Sequence, residues 1–290
     1  TLVMDDEFDA LVDQLDSVAA AQADAVIVQD ISVARLVAER YPSLPLFAST
    51  QTTVHNVWGA KLLEELGFSQ VVLARELSCG ELRSIRASCD IALEFFVHGA
   101  LCMCMSGACY LSSMIGTRSG NRGLCAQPCR LDFRLGARDH ALSLKDMSLI
   151  ERIGELSDCG VDALKIEGRM KRPEYVAAGV TACRAALASQ TPDMDALKAV
   201  FSRSGFRDGY FTGLRTADMF GCRTKEDVTS ASEVLPALRS LYSSQPQTVP
   251  LSFRFTAAAG KNASLYISDG AHEASVSGPV PEPARTSALC

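Results

Sequence analysis

Short apolar runs alternate with amphipathic segments along most of the chain. Four such runs lie at residues 25–28, 45–48, 71–74 and 92–96. Between them, apolar residues recur with the spacing of helices, as at 33–40 and 57–66. Further on, the pattern predicts a helix at 147–158, a strand at 163–166 and a helix at 174–188. This alternation predicts repeated β/α units.

The number of units favours a barrel. An apolar start at residues 1–4 adds a sixth strand candidate, and residues 141–144 are a weaker seventh. Consecutive β/α units of this kind predict an α/β fold, a (β/α)8 TIM-type barrel that is incomplete at its N-terminus. A doubly wound Rossmann sheet is less favoured, because no GxGxxG motif follows a predicted strand.

The pattern changes near residue 222. Residues 223–248 are polar and predict a linker. Alternating apolar and polar residues at 250–255 and 263–268 flank a Gly-Lys-Asn turn, which is typical of a hairpin. We therefore expect a barrel domain at 1–222 with a cysteine-rich loop at 98–138, the linker, and a partial β domain at 249–290.

Composition indicates a soluble globular enzyme. The 290 residues are 48% hydrophobic and 21% charged, with a formal net charge of −6. No apolar run approaches the ~20 residues of a membrane span, and no secretory signal opens the sequence. We expect no membrane association and a cytoplasmic location.

Five of the eleven cysteines fall within residues 102–129. A reducing compartment disfavours disulfides, so the spacing points to ligation of a metal or cluster. Zinc usually takes two knuckles, and only Cys125-x3-Cys129 resembles one. Irregular loop cysteines beside glycines favour an iron–sulfur cluster on Cys102, Cys109, Cys125 and Cys129, with Cys104 left over. Buried unligated thiols remain an alternative, and cysteines 79, 89, 159, 183 and 222 are interpreted as packing residues.

The segment 94–112 carries a longer motif, ExFxxGALCxxxxGxCxLS. It resembles the signature of peptidase family U32, the collagenase-like proteases, as do the segments 49–51, 119–129 and 165–169. Known members of the family carry a 4Fe-4S cluster and hydroxylate RNA bases or ubiquinone precursors without oxygen. The resemblance therefore implies RNA, ribosomal or transfer, as a partner, and prephenate as a hydroxyl source. The extra β domain resembles that of longer members, one of which modifies a cytidine of the large ribosomal RNA.

Polar residues follow nearly every predicted strand. In a barrel these carboxyl ends meet at one face and build the active site. The candidates for acid–base catalysis are Glu76, His98 and Glu167, and the strand ends also supply Gln51, Arg75 and Arg169 for substrate binding. Helix capping explains some such residues equally well. Within the predicted strands, Glu94 needs a buried partner, for which Arg75 or Arg169 is suitable, and the single tryptophan, Trp58, is expected in the core.

Two local clusters of positive charge stand out from the acidic chain. The first combines Asp132 with Arg118, Arg122, Arg130, Arg134 and Arg138, and the second combines Glu167 with Lys165, Arg169, Lys171 and Arg172. Such clusters suit RNA phosphates or the carboxylates of a small cosubstrate, although a solvated basic face is the simpler interpretation. Together with Gln51, Arg75 and Arg169, we take Arg118, Arg122, Arg130 and Lys165 as substrate-binding candidates.

Two functions follow from these features. The first is iron–sulfur-dependent, oxygen-independent hydroxylation of an RNA base. The alternative is the peptidase activity of the family name, acting on a peptide. The chain has no HExxH or GxSxG motif, and His98 with Cys102 is its one recognisable nucleophile pair. A third reading gives the metal only a structural role in the long loop.

Overall fold

The structure, a computed structural model, describes residues 1–106, 108–169, 171–243 and 249–282. The chain divides into two compact units, Thr1–Leu241 and Tyr242–Cys290. The first unit contains the β/α pattern and the cysteine-rich loop. The second is a small antiparallel sheet, and each unit is described by itself.

The first unit alternates strands and helices over most of its length. Its strands are β1 (Val26–Val28), β2 (Leu46–Ala48), β3 (Gln70–Val72), β4 (Ala92–Ala100), β5 (Asp146–Ser148), β6 (Ala163–Ile166) and β7 (Phe206–Arg207). Its α-helices are α1 (Phe8–Ala20), α2 (Ile31–Arg40), α3 (Val57–Glu65), α4 (Cys79–Arg86), α5 (Leu111–Gly116), α6 (Ile153–Asp158), α7 (Pro173–Leu187), α8 (Met194–Val200), α9 (Gly209–Thr212) and α10 (Lys225–Ser243). Short 3-10 helices lie at Asp5–Glu7, Thr50–Thr52, Gly120–Arg122, Pro128–Arg130, Ile150–Arg152 and Ala217–Met219.

Side-chain caps start several helices directly after a strand. The Asp30 carboxylate accepts hydrogen bonds from the backbone N–H groups of Ser32 and Val33 at the start of α2. At α4, Ser78 and Glu81 form a reciprocal capping box. These caps satisfy backbone donors that would otherwise lack partners. Part of the polar pattern at the strand ends is therefore helix capping.

The sheet is mostly parallel and centred on β4. Strands β1 to β4 pair in sequence order, and β6 pairs in parallel with the other edge of β4. The last residues of β4 also pair with antiparallel β5, which leads to β7. A β-bulge between Phe96 and His98 accompanies this change of pairing.

The observed sheet confirms a mixed α/β fold with a largely parallel sheet. Among the described residues, the pairing path runs from β1 to β7 and does not return to β1. The closed (β/α)8 barrel is therefore not confirmed and stays a prediction.

The core lies against both faces of β4. Leu93, Phe95 and Val97 are inaccessible to solvent, and Phe96 is 2% exposed. Burying each such side chain contributes roughly 1.5–3 kcal/mol to folding. A strand buried on both faces reads as a continuous apolar run, which is why β4 is so clear in the sequence.

Several local predictions differ from the structure. Residues 1–4 form no strand and lead into a 3-10 helix and α1. The weak strand predicted at 141–144 is a turn, and the strand lies at Asp146–Ser148, where the sequence predicted the start of a helix. A buried three-residue strand followed by a helix gives one continuous apolar pattern, so periodicity alone could not divide it.

Trp58 is not in the core. Its residue surface is 79% exposed, whereas Ala60 and Leu63 of the same helix are buried. The inward face of α3 is occupied by these smaller residues, and Trp58 projects from the opposite side. The prediction from residue type was wrong because helix phase decides which side chain is buried.

The segment predicted as a linker is largely helical. Residues 225–243 form α10, which buries Ala231 and Leu238, seven positions apart on one face. The sequence did not predict this helix because its serines and threonine and an internal proline, Pro236, are typical of a linker. The rest of the predicted linker, residues 244–248, lies outside the described residues.

Two cysteines interpreted as packing residues are paired instead. Cys79 at the start of α4 and Cys159 after α6 form a disulfide, with their Cα atoms 6.1 Å apart. The residues are separated by 80 positions, so local pattern could not reveal the pairing. In a reducing compartment, the same two thiols would pack side by side.

The second unit is a three-stranded antiparallel sheet in the order β10-β9-β8. Its strands are β8 (Ser252–Ala258), β9 (Lys261–Ser268) and β10 (Glu273–Ser277). The predicted hairpin is present, with Gly260 at φ 74° in the turn between β8 and β9. The third strand was not predicted.

No helix in the described part of the chain combines the length and apolar character needed to cross a membrane.

A substitution at Gly99 would test how closely the end of β4 approaches the residue that follows β6. Its φ is +137°, and a Cβ placed on it would lie 2.5 Å from Cβ of Glu167. Gly99→Ala should therefore lower the free energy of unfolding by about 2–4 kcal/mol, through backbone strain and overpacking. Gly80→Ala in α4 is the control, since a Cβ added at Gly80 would meet no described atom within 4 Å.

In urea titrations, the control should be neutral or stabilised by up to about 1 kcal/mol. Equal stability of both variants would contradict the close approach.

Candidate functional site

The carboxyl ends of the parallel strands bring a set of polar side chains to one edge of the sheet. Gln29 follows β1 and donates from Nε2 to the carbonyl oxygen of Gln51, 3.4 Å away, after β2. Arg75 follows β3, and its Nη2 lies 3.9 Å from Oε2 of Glu167, after β6. Parallel strands end at the same edge, so the topology itself collects these residues.

Arg75 is held in place mainly by an aromatic ring. Its guanidinium lies 3.8 Å from the centre of the Phe96 ring, and its side chain is only 12% exposed. Burial lowers its pKa, although Glu167 and Glu76 partly oppose this shift. Its Nε has no hydrogen-bond partner among the described residues. A buried, oriented donor of this kind is suited to binding a carboxylate or phosphate.

Glu76 lies beside Arg75 in a partly desolvated environment. Burial raises the pKa of its carboxyl group, because the charged form is disfavoured away from water. Ser106 Oγ donates to Oε2 at 3.5 Å, whereas Oε1 is buried without a partner in the described structure. A carboxyl group with a raised pKa keeps its proton to a higher pH than an exposed carboxyl group does, and such a group can act as a general acid.

The cysteine-rich loop was predicted at 98–138. In the structure it is the connection between β4 and β5, residues 101–145, and it is anchored over these strand ends. Thr53 Oγ1 donates to the carbonyl of Ser106 at 2.6 Å, and Gln51 Nε2 donates to that of Gly120 at 3.5 Å. Arg169 Nη2 donates to the carbonyl of Gly123 at 3.4 Å. Residues that follow two strands, β2 and β6, thus contact the loop directly.

Arg130 closes the base of the loop. Its guanidinium donates to the carbonyl oxygens of Leu101 and Leu144, at opposite ends of the loop, and to Ser143 Oγ. These contacts satisfy most of its donors within the protein. Arg130 therefore has a structural role in the described structure, and a role in substrate binding stays a prediction.

Four predicted ligand cysteines lie in this loop. Burial raises the pKa of the Cys102 thiol, and Cys129 and Cys109 raise it further through their negative charge when ionised. Cys125 Sγ accepts hydrogen bonds from Gln127 N at 3.3 Å and Ser112 Oγ at 3.8 Å. Donors to sulfur of this kind stabilise thiolate ligands.

The donor set is compatible with a cluster rather than with a preformed single-ion site. In the described ranges, no three side chains of the types His, Cys, Asp and Glu converge closely enough to hold one metal ion. Cys102 is close enough to Cys109 and Cys129 for their charges to raise its pKa, and Cys109 raises the pKa of the fifth loop cysteine, Cys104, in the same way. Four loop thiolates are the ligands that a four-iron cluster takes, so these cysteines fit such a group chemically, and the cluster stays a prediction.

His98 does not join the strand-end site. It is fully buried between Tyr175 and Phe206, at ring-centre distances of 5.3 and 5.1 Å. Neither ring nitrogen has a hydrogen-bond partner among the described residues. Burial, with a smaller effect of Lys171, lowers its pKa to about 4. The structure thus forms no hydrogen bond between His98 and Cys102.

Lys165, a predicted substrate-binding residue, forms an ion pair within the protein. Lys165 Nζ lies 2.8 Å from Glu94 Oε1, and Gln70 Nε2 donates to the other oxygen of Glu94 at 2.6 Å. Glu94 therefore pairs with Lys165, instead of with Arg75 or Arg169 as the sequence suggested. Side-chain direction along β4 and β6 decides this pairing.

The arginines of the loop are also largely engaged within the chain. Arg122 forms an ion pair with Glu7, and Arg118 Nε donates to the carbonyl of Leu124 at 3.0 Å. Arg134 contacts Asp132 and Asp139, while Arg138 lies 4.7 Å from the centre of the Phe220 ring. The local excess of positive charge is thus partly neutralised by Glu7, which is distant in sequence, and by the nearby Asp132 and Asp139.

Three site residues escaped the sequence prediction. Gln29 shows the polar strand-end signal and has a buried Oε1 without a described partner. Ser106 and Thr53 connect the loop to the strand ends, but nothing in their sequence context marks them. Only the folded loop brings them together.

Comparison with known proteins identifies relatives of the first unit. A sequence model described as "Peptidase family U32" matches residues 1–220. The 23S rRNA 5-hydroxycytidine C2501 synthase of Escherichia coli (strain K12) is 41% identical over 184 residues, which cover 61% of this chain and 28% of that protein. The tRNA hydroxylation protein P1 of Bacillus subtilis (strain 168) is 37% identical, covering 62% of this chain and 46% of that protein.

A relative with a different name is similarly close. A protein named collagenase from Porphyromonas gingivalis (strain ATCC BAA-308 / W83) is 33% identical, covering 75% of this chain and 59% of its own length. The chain thus spans less than two thirds of each of these relatives. Among solved structures, the U32 peptidase Mk0906 overlaps 33% of this chain and 40% of its own, with a TM-score of 0.30 and 23% identity.

His98 should make the protein sensitive to acid. With a folded pKa of about 4 against an ordinary value of 6.5, the unfolded chain binds the proton first as the pH falls. Stability should therefore fall between pH 6.5 and pH 4 by about 3 kcal/mol from this residue alone. His98→Phe should remove that part of the pH dependence in chemical denaturation, because its ring stays neutral.

His55→Gln is the matched control, since His55 is exposed. If His98→Phe and the parent protein lose stability in parallel over this range, His98 is not the group responsible.

Proposed function

Because the chain belongs to peptidase family U32, we propose that it hydroxylates an RNA base, with a cytidine of ribosomal RNA as the favoured target. The observation that carries the proposal is the partly buried group of Arg75, Glu76 and Glu167 beneath the cysteine-rich loop. It occurs in a chain 41% identical to an rRNA 5-hydroxycytidine synthase over 184 residues. That alignment covers 28% of the synthase.

We propose a 4Fe-4S cluster held by Cys102, Cys109, Cys125 and Cys129. When bound, it would supply redox chemistry that does not need oxygen. The effect of Cys109 and Cys129 on the pKa of Cys102 and the hydrogen bonds to Cys125 Sγ support this ligand set. Cys104 is the competing ligand, because it lies in the same loop and its pKa is raised by Cys109.

The chain's own residues have separable roles in this proposal. Arg75, fixed on the Phe96 ring, would orient an anionic group, either an RNA phosphate or a carboxylate of prephenate as hydroxyl source. Glu76 would hold a proton at its unpartnered Oε1. Glu167 would keep Arg75 oriented through their 3.9 Å contact. The loop anchored by Thr53 and Gln51 would limit the access of water.

Peptidase activity is the second candidate, because one relative is named collagenase. A thiol peptidase needs a histidine within hydrogen-bond reach of its nucleophile. The ring nitrogens of His98 have no partner in the described structure, so that pair is not assembled. We therefore favour hydroxylation, and RNA as the partner makes the cytoplasm the proposed location.

The ligand set can be tested without an activity assay. Protein purified anaerobically should contain about four irons and four sulfides per chain and absorb broadly near ~400 nm. Serine substitutions at Cys102, Cys109, Cys125 or Cys129 should each lower the iron content at least severalfold. Cys104→Ser is the matched control and should retain the cluster.

If Cys104→Ser loses iron and Cys125→Ser retains it, Cys104 is a ligand of the cluster in place of Cys125. One zinc per chain in the parent protein would exclude the cluster.

The proposed role of Glu76 as a general acid can be tested in an RNA hydroxylation assay. With ribosomal RNA and prephenate under anaerobic conditions, mass spectrometry of nuclease digests should detect a hydroxylated cytidine. Glu76→Gln should lower the rate by about 10²–10⁴-fold, the usual contribution of a general acid or base, while RNA binding is retained. Glu65→Gln, an exposed carboxylate at the end of α3, should behave like the parent protein.

Gelatin should be included as a parallel substrate. If gelatin is cleaved in a Cys102-dependent reaction and RNA is not modified, peptidase activity is the better-supported function.

A further inference from the structure

A second cavity lies in the first unit, lined by residues that the strand-end site does not use. Its volume is about 270 Å³, and it is enclosed by the start of α7, the end of α8 and one face of α10. Tyr175, Val200, Phe201 and Leu235 form much of its apolar wall. A cavity of this size accommodates a small metabolite.

The polar lining of this cavity is strongly biased toward positive charge. Lys171, Arg172 and Arg223 face it, and no carboxylate of the described residues lines it. Within the same part of the chain, none of these three side chains forms an ion pair or a hydrogen bond. The arginines of the cysteine-rich loop are largely engaged within the chain, whereas, among the described residues, Lys171, Arg172 and Arg223 are not.

Two of the cations are held against one aromatic ring. Lys171 Nζ lies 2.9 Å and the Arg223 guanidinium 4.5 Å from the centre of the Phe201 ring. Arg203 also approaches this ring, at 5.2 Å, but it is paired with Asp146. Cation–π contacts offset only part of the cost of placing these two positive charges together, the partly buried Lys171 and the exposed Arg223.

The start of α7 adds to the positive potential. Arg172 is the N-cap residue of this 15-residue helix and offers no side-chain acceptor to its first N–H groups. The acid of the first turn, Glu174, is engaged by Arg239, 3.1 Å away. The helix dipole therefore reinforces the unneutralised cations that line the cavity.

We propose that this cavity binds a small carboxylate anion with an apolar, ring-sized body. The carboxylate would bind Lys171 and Arg223, and the apolar body would pack against Phe201 and Leu235. Such a ligand neutralises the charge and fills the apolar space, whereas a bare inorganic anion does only the first. Bound there, it would connect α10 to α7. The inference uses no residue of the RNA site and is independent of the proposed function.

Isophthalate, an aromatic dicarboxylate, is a suitable probe for calorimetry on the complete chain without RNA. We expect it to bind and to raise the melting temperature, whereas neutral benzamide and inorganic phosphate should bind at least tenfold more weakly. Lys171→Met and Arg223→Gln should each weaken isophthalate binding about tenfold or more, because each removes a charged contact. Arg184→Gln, on the exposed side of the same helix, is the matched control and should bind normally.

The pH dependence of binding provides a second measurement. Burial, and next Arg203, lower the pKa of Lys171 to about 8, so its charge is lost as the pH rises through that value. The other charged groups that act on it are Asp146, Arg223 and Glu167, and the neighbouring Tyr175 has a raised pKa. Isophthalate affinity should therefore decrease from pH 7 to pH 9 in the parent protein and remain nearly constant in Lys171→Met.

These measurements distinguish loss of ligand binding from loss of folding. Both charge-removing variants should keep the melting temperature of the parent protein without ligand, which shows that they fold. Unchanged isophthalate binding in these folded variants, equal binding of benzamide, or no binding at millimolar concentration would each overturn the proposal. Phosphate binding as tight as isophthalate would overturn it as well, because the apolar wall would then contribute nothing.

Discussion

The structure depends on β4, a strand buried on both faces and hydrogen bonded along both edges. Its first residues pair with β3, its middle with β6, and its last with β5. The bulge after Phe96 accompanies the change of partners. At Gly99 the chain approaches Glu167 so closely that a side chain would not fit. This approach places Glu167 next to Arg75 and sets the direction in which the cysteine-rich loop leaves the sheet.

The cations that we propose to bind anions lie against aromatic rings. Arg75 lies on Phe96 in the strand-end site, and Lys171 and Arg223 lie on Phe201 beside the second cavity. An aromatic ring orients a cation without neutralising it, so the charge remains available to an anion. In contrast, Arg122, Arg130 and Lys165 bind acids or carbonyl groups of the chain itself. The distinction separates binding residues from structural ones more clearly than charge counts do.

The family name and the site geometry point in different directions. Relatives carry names that refer to RNA hydroxylation and to collagenase. A peptidase needs an assembled nucleophile and base, yet His98 is enclosed by aromatic rings with no hydrogen-bond partner in the described residues. The loop instead gathers thiols above a buried arginine and a carboxyl group with a raised pKa. Perturbed pKa values beside the strand ends mark this edge of the sheet as the candidate functional site, and the proposal of hydroxylation is based on it.

The sequence by itself determined the order of the β/α units, the family, the cysteine-rich loop and the polar strand ends, because these depend on periodicity and local motifs. It predicted the hairpin at 250–268 for the same reason. Only the tertiary structure decided that Lys165 pairs with Glu94, that Arg122 pairs with Glu7, that Trp58 faces solvent and that Cys79 meets Cys159. It also showed that His98 lies apart from the strand-end site and that α10 closes a cationic cavity. Each of these depends on contacts between residues far apart in sequence, which are set by strand register and helix phase and are invisible to any local pattern.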